Sequence, residues 1–121
     1  MATILVVEDT HTQAEIITGT LKKAGFTTIW VGSSEEAKSK LESQTPDAIV
    51  MDVVLPGASG FELCRELKDN PATSGIPIVL CSTKDSEMDK FWGMKQGASS
   101  YITKPIKEEE LLRAVQLLVK G

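Results

Sequence analysis

This sequence of 121 residues is poor in several residue types that mark particular classes of protein. Aromatic residues make up 5% of it, and it has one histidine, His11, which we expect to face solvent in a helix. Lysine and arginine total 13 against 17 acidic residues, and the net charge of −4 argues against nucleic-acid binding. No apolar run approaches the roughly 20 residues of a membrane span, and the start does not resemble a signal peptide. We therefore expect a cytoplasmic protein with neither membrane nor nucleic-acid partners.

Cysteine is also scarce, since Cys64 and Cys81 are the two thiols of the sequence. Both lie in apolar surroundings without the spacing of a metal site, which predicts buried packing in a reducing compartment. The length suits one domain over residues 1–121, with enough residues for a single core.

Five segments rich in β-branched and aliphatic residues alternate with five segments of helical periodicity. The strands are predicted at 3–7, 26–31, 48–51, 76–81 and 101–103, with Asp52 closing the third. Helices are predicted from about residue 12, from 33, over 59–69, from 85 and over 108–119, and Ser33 with Glu36 has the capping-box pattern. Strands that alternate with helices form a parallel sheet through right-handed crossovers, so the fold class is α/β.

The fourth predicted helix combines large apolar residues with an internal glycine. We expect Met88, Phe91 and Trp92 to be its apolar contacts with the core, with Trp92 also a candidate for contact with a partner. Trp30 is likewise expected to pack in the interior. Gly93 lowers the intrinsic stability of this helix by up to ~1 kcal/mol relative to alanine. A marginal helix is suited to adopting two alternative packings.

Polar side chains follow the strands at one edge of the predicted sheet. Glu8 and Asp9 end the first strand, Asp52 the third, Ser82 the fourth and Lys104 the fifth. Ligands of open parallel sheets bind at the carboxyl ends of the strands, so these side chains are predicted to form one site.

Carboxylates held this close together repel one another unless a cation neutralises them. The candidate ligands are all oxygens, which favours a hard divalent ion, and Mg²⁺ is the one expected. Mg²⁺ beside Lys104 is an arrangement that binds a phosphoryl group. The carboxylate of Asp52 is then placed to attack phosphorus and form an aspartyl phosphate, with Ser82 donating a hydrogen bond to a phosphoryl oxygen.

These residues, taken together with the turn at 55–57, Gly60, Tyr101 and Pro105, resemble the receiver domain of bacterial two-component response regulators. The resemblance covers the whole chain. It implies a three-layer (βα)5 fold of the flavodoxin-like, CheY-like kind, with five parallel strands in the order 2-1-3-4-5. It also implies a stand-alone receiver that is not an enzyme for an external metabolite, since it catalyses only its own phosphorylation and dephosphorylation.

The resemblance assigns roles at the strand ends. Asp52 is the phosphoacceptor. Asp9, Asp52 and the backbone carbonyl of Val54 bind Mg²⁺, and Glu8 acts through the waters of the metal. Lys104 pairs with the phosphoryl group.

The resemblance also implies how the signal leaves the site. Ser82 and Tyr101 form a switch pair, the hydroxyl moving toward the phosphate and the ring turning inward behind it. The bond between Lys104 and Pro105 is expected to be cis. The phosphodonor is a histidine kinase, and a downstream protein binds the face made by the fourth helix, fifth strand and fifth helix of a monomer or weak dimer. Val54 and Lys84 stand where the family varies and tune the lifetime of the phosphate.

A finer resemblance lies in residues 83–105, which are similar to PilH-type regulators of the pilus chemotaxis systems that steer twitching motility or phototaxis. This resemblance implies a role in pilus-based motility or taxis.

Three other interpretations remain open from the residues. A haloacid-dehalogenase-like phosphatase also uses a strand-end aspartate, but it needs a second aspartate where Val54 stands. A flavodoxin-like flavin carrier needs a hydroxyl- and glycine-rich phosphate loop where Glu8 and Asp9 stand. A receiver fold that serves as a phosphate-independent scaffold is disfavoured by the complete acidic set.

Overall fold

The computed structural model describes residues 2–119 and contains one five-stranded sheet between two layers of helices. All strands are parallel and their order is β2-β1-β3-β4-β5, which confirms the predicted topology. In chain order the elements are β1 Thr3–Val7, α1 His11–Lys23, β2 Thr27–Val31, α2 Ser34–Ser43, β3 Ala48–Asp52, α3 Gly60–Asp69, β4 Ile78–Ser82, α4 Glu87–Lys95, β5 Ser100–Thr103 and α5 Glu108–Leu118.

The central strands are apolar on both sides because each side packs against helices. Leu5 and Met51 lie in one core together with Leu63 of α3, whereas Val6 lies in the other with Leu111 of α5. Successive strand residues point to opposite faces, so a continuous apolar run supplies both cores. Among residues 2–119, every helix is too short or too polar to cross a membrane.

Hydroxyl residues fix the starts of α2, α3 and α4. Ser59 forms a complete capping box with Glu62, and Ser86 forms one with Asp89. The box predicted at Ser33 is only half formed. The Ser33 hydroxyl accepts from the Glu36 amide, but the Glu36 carboxylate accepts from Gly32 N at 2.6 Å, one residue before the expected donor.

The orientation of α4 contradicts the prediction made for it. Met88, Phe91 and Trp92 are 74%, 60% and 50% exposed, and the buried position of the helix is Gly93. The physical reason is the ring of Tyr101, which occupies the space where a Cβ at position 93 would lie, 2.8 Å from ring atom Cδ2. The helix also begins two residues later than predicted, because Ser86 rather than Asp85 supplies the cap.

One further prediction of burial is wrong and two are confirmed. Trp30 is 44% exposed, because it lies on the edge strand β2, so its predicted place in the interior is wrong. His11 is solvent-facing as predicted, and Cys64 and Cys81 are free and buried as predicted. Gly97 ends α4 with a φ of +107°, a left-handed conformation that glycine adopts without strain.

Candidate functional site

The carboxyl ends of β1 and β3 bring three acidic side chains together. Val7 of β1 is the register partner of Met51 of β3, so the residues that follow each of them lie side by side. One carboxylate oxygen from each of Glu8, Asp9 and Asp52 lies within 4.8 Å of the others. Glu8 and Asp52 are buried and Asp9 is exposed, so the cluster opens to solvent on the side of Asp9.

Lys104 reaches this cluster from the end of β5. Its backbone amide donates to the Ser82 carbonyl at 2.8 Å, which extends the pairing of β4 with β5 by one residue. Its ammonium donates to Glu8 Oε1 at 2.8 Å and to Asp52 Oδ2 at 3.1 Å. The peptide bond between Lys104 and Pro105 is cis, in agreement with the expectation.

Burial and charge shift the ionisation of Glu8 and Lys104. Burial raises the pKa of Glu8, and the negative charge of Asp52 adds to this effect, although the hydrogen bond from Lys104 opposes it. Burial alone lowers the pKa of Lys104, but its bonds to Glu8 and Asp52 outweigh that effect and raise the pKa. The ammonium therefore stays charged and offsets part of the negative charge of the cluster.

The backbone after Asp52 is held close to the site. Val54 N donates to Asp52 Oδ1 at 3.3 Å, and Val53 N donates to the Cys81 carbonyl at 3.0 Å. Gly60, the first residue of α3, donates its amide to the Val53 carbonyl at 2.7 Å. A Cβ at Gly60 would collide with the Asp52 carbonyl, so only glycine allows α3 to start here.

Ser82 and Tyr101 meet the same loop. Ser82 is fully buried and its hydroxyl accepts from Lys84 N at 3.1 Å, while the Tyr101 hydroxyl donates to the Lys84 carbonyl at 2.7 Å. Burial of the Tyr101 ring raises its pKa. The backbone of Lys84 thus connects the two residues of the expected switch pair, a link that the side-chain types of the sequence do not reveal.

The sequence of the chain matches a known family over most of its length. Residues 4–116 match the response regulator receiver domain. The chain belongs to the response regulator receiver family. Membership removes the phosphatase and flavin-carrier alternatives, because the receiver family is one of signalling proteins.

Individual members of the family are similar to this chain over all or most of its length. The receiver is 38% identical to the protein PilH of Pseudomonas aeruginosa over 121 residues, which is 100% of both chains. It is also similar to longer regulators, among them mycobacterial DNA-binding response regulators, and spans about half of their length.

Two solved structures are similar to this receiver. CheY4 of Vibrio cholerae has a TM-score of 0.90 and 29% identity, with 98% of each chain covered. The receiver domain of the sensor histidine kinase PA1611 of Pseudomonas aeruginosa has a TM-score of 0.90 and 28% identity, with 99% of this chain and 98% of that chain covered. The latter structure has a magnesium ion coordinated in its active-site cleft.

The donor set of this receiver fits such an ion. Three carboxylates face the single charge of Lys104, so the cluster retains excess negative charge. Because the ligand oxygens lie within 4.8 Å of one another, the buried pair Glu8 and Asp52 repels by at least about 3.5 kcal/mol at an effective dielectric constant near 20. Water screens the pairs that include the exposed Asp9 more strongly. Oxygen ligands with excess negative charge and one open side suit a hard divalent cation that keeps part of its water shell.

All the residues predicted to act at the strand ends lie at this edge of the sheet, and Tyr101 reaches it through the Lys84 carbonyl. Two further residues that hold Glu8 in place were not predicted from the sequence. Thr10 N donates to Glu8 Oε2 at 3.2 Å, and the indole of Trp30 donates to the Glu8 carbonyl at 2.7 Å. No motif in the sequence indicates either bond.

Proposed function

We propose that this chain is a phosphorylation switch that accepts a phosphoryl group on Asp52 from a histidine kinase. The observation that carries the proposal is the position of the Lys104 ammonium, bonded to both Asp52 and Glu8 within a cluster of three carboxylates. A buried lysine between two acids provides a positive charge where a phosphoryl group on Asp52 would place its oxygens.

The residues at the strand ends divide the chemistry between them. A carboxylate oxygen of Asp52 forms a bond to phosphorus while the bond from phosphorus to the donor nitrogen breaks. Lys104 turns from Asp52 to the phosphoryl oxygens, and Glu8 keeps the ammonium in place. Asp9, Asp52 and the Val54 carbonyl would hold Mg²⁺ directly, with Glu8 acting through its waters, and the ion would offset the charge of the phosphoryl group.

A phosphoryl group adds nearly two negative charges at the end of β3. Ser82 is buried beside that position, so its hydroxyl can leave Lys84 N and donate to a phosphoryl oxygen. Movement of the 82–84 segment would also shift the acceptor of the Tyr101 hydroxyl. This coupling is the route by which the phosphoryl group changes the packing of Tyr101 against α4.

The downstream partner is a protein that binds the face formed by α4, β5 and α5. Support comes from α4, which exposes Met88, Phe91 and Trp92. Large apolar side chains and tryptophan are enriched at the centres of protein interfaces. The 38% sequence identity with PilH supports a role in pilus-based motility or taxis. We place this role in the cytoplasm.

The direct test is incubation with a small-molecule phosphodonor, with and without Mg²⁺, followed by intact-mass measurement. We expect one added phosphoryl group in the wild type with Mg²⁺ and none in Asp52→Asn. Asp47→Asn is the matched control, because Asp47 lies at the other end of β3, where its carboxylate accepts from Thr3 N at 2.7 Å. Equal modification of wild type and Asp52→Asn would overturn the proposal.

A second test addresses the switch. Beryllofluoride with Mg²⁺ mimics the phosphoryl group, and we expect it to shift the resonances of residues 82–101 and slow their amide exchange. Spectra that change only at residues 8–10 and 52–54 would be compatible with phosphorylation of Asp52 but would refute the proposed coupling through Ser82 and Tyr101.

A further inference from the structure

The backbone of Glu8 is fixed by one acceptor and one donor from the end of β2. Its amide donates to the Val31 carbonyl at 3.0 Å, and its carbonyl accepts from Trp30 Nε1 at 2.7 Å. The side chain of Glu8 is held as well, by Lys104 and by Thr10 N. Four hydrogen bonds therefore determine where this acidic residue lies, and Trp30 supplies one of them.

The indole takes the place of a missing backbone donor. In a parallel ladder, an amide that donates to Val31 would be followed by a bond from Ser33 N to the Glu8 carbonyl. The chain leaves the sheet before that point, because Ser33 is the N-cap of α2 and Gly32 N is bonded to the Glu36 carboxylate. The side chain of Trp30 reaches back and donates to the Glu8 carbonyl instead.

Trp30 also contacts the far side of the acidic loop. Its ring meets that of His11, the first residue of α1, edge-on, with 5.5 Å between centroids and an interplanar angle of 66°. Trp30 thus touches both ends of the segment 8–11, which contains Glu8 and Asp9. Trp30 is 44% exposed, and its hydrogen bond and ring contact link the end of β2 to both ends of this segment.

From this geometry we infer that Trp30 is a positioning residue, whose indole N–H holds the Glu8 carbonyl so that the carboxylates of Glu8 and Asp9 converge with Asp52 for binding Mg²⁺. The inference rests on the proposed function and adds a residue outside the acidic cluster to it. Trp30 acts through the loop and touches neither the ion nor the phosphoryl group. Removing a residue that orients a metal ligand without touching the metal weakens metal binding by about 10-fold or more.

The test separates the hydrogen bond from the shape of the ring. In a Trp92→Phe background, Trp30 is replaced by 3-benzothienylalanine, which keeps the bicyclic ring but has no N–H. Trp30→Phe is made beside it, and Trp92→Phe alone is the control because it makes the same change on α4. Mg²⁺ is titrated into each protein and followed through the amide resonances of residues 8–10, and amide exchange of the same residues is measured without metal.

We expect both Trp30 replacements to weaken Mg²⁺ binding by about 10-fold and to speed exchange at residues 8–10, with the control like the wild type. Wild-type affinity and exchange in the benzothienyl variant would overturn the inference, because the ring shape alone would then be sufficient. Unchanged affinity in both variants would overturn it as well. Absence of saturable Mg²⁺ binding in the wild type would instead refute the proposed function, and the inference with it.

Discussion

Replacing a glycine inside a helix with alanine normally stabilises the protein, but we expect Gly93→Ala in α4 not to do so. A glycine in a helix interior costs about 0.8–1.0 kcal/mol relative to alanine. At position 93, however, an added Cβ would lie 2.8 Å from Tyr101 Cδ2 and 3.2 Å from Leu80 Cδ1. Overpacking of a core costs about 1–3 kcal/mol. The two effects oppose each other, and we expect Gly93→Ala to change the free energy of unfolding by between about zero and −2 kcal/mol.

Gly19 provides the matched control within the same protein. It lies inside α1, and a Cβ there would meet no atom within 4 Å. Gly19→Ala should therefore raise the free energy of unfolding by nearly 1 kcal/mol, as the helix propensity alone predicts. Urea unfolding followed by far-ultraviolet circular dichroism measures both variants. Equal stabilisation by the two substitutions would refute the claim that the Tyr101 ring occupies the space beside Gly93.

A double-mutant cycle identifies the cause of the difference. In a Tyr101→Ala background the ring is absent, so Gly93→Ala should recover most of the stabilisation that Gly19→Ala gives. A coupling energy of about 1 kcal/mol or more between positions 93 and 101 is expected for residues in direct contact. A coupling near zero would assign the effect to Leu80 instead of Tyr101.

The remaining predictions concern the buried groups and the caps. Lys104→Met should lower the free energy of unfolding by about 3 kcal/mol, because Glu8 loses its charged partner. The difference in unfolding free energy between the wild type and this variant should persist from neutral pH to pH 10.5, the ordinary pKa of lysine. It should close at higher pH as the raised pKa of Lys104 is passed, which urea titrations at several pH values will measure. Burial raises the pKa of Cys64 to about 11 and that of Cys81 to about 12, so a thiol reagent at pH 8 should label neither without unfolding, and rapid native labelling would contradict their burial. Ser86→Ala should cost about 1 kcal/mol in urea unfolding, and an unchanged midpoint would mean that the cap of α4 carries no stability.

Elements with one dominant pattern were predictable from the sequence. The continuous apolar runs that became β1, β3 and β4 are typical of strands covered on both faces, and polar residues that follow parallel strands lie at one edge of the sheet. The cluster of Glu8, Asp9 and Asp52 follows from this topology. The predicted ends of the strands differ from the observed ones by at most two residues.

The inverted orientation of α4 could not be predicted in the same way. Hydrophobic periodicity places Met88, Phe91 and Trp92 inside, since glycine contributes no hydrophobicity to a helical stripe. In the structure the Tyr101 ring fills the space above Gly93, so the small residue faces inward and the large ones face outward. This contact depends on β5, a separate element, and local patterns hold no information about it.

The hydrogen bond from Trp30 was unpredictable for a related reason. It joins residues that are 22 positions apart and depends on where β2 leaves the sheet. The half-formed capping box at Ser33 has the same origin, because the Glu36 carboxylate takes the Gly32 amide at the point where the chain turns. Side chains that complete a backbone ladder become visible only when the ladder is known.

Titration of the wild-type receiver with Mg²⁺, followed by amide resonances along the whole chain, tests the central claim most directly. The account predicts one saturable site, with the largest shifts at residues 8–10 and 52–54, and loss of that site in Asp9→Asn. Shifts spread over the acidic surface without saturation, or a site that survives in Asp9→Asn, would contradict it.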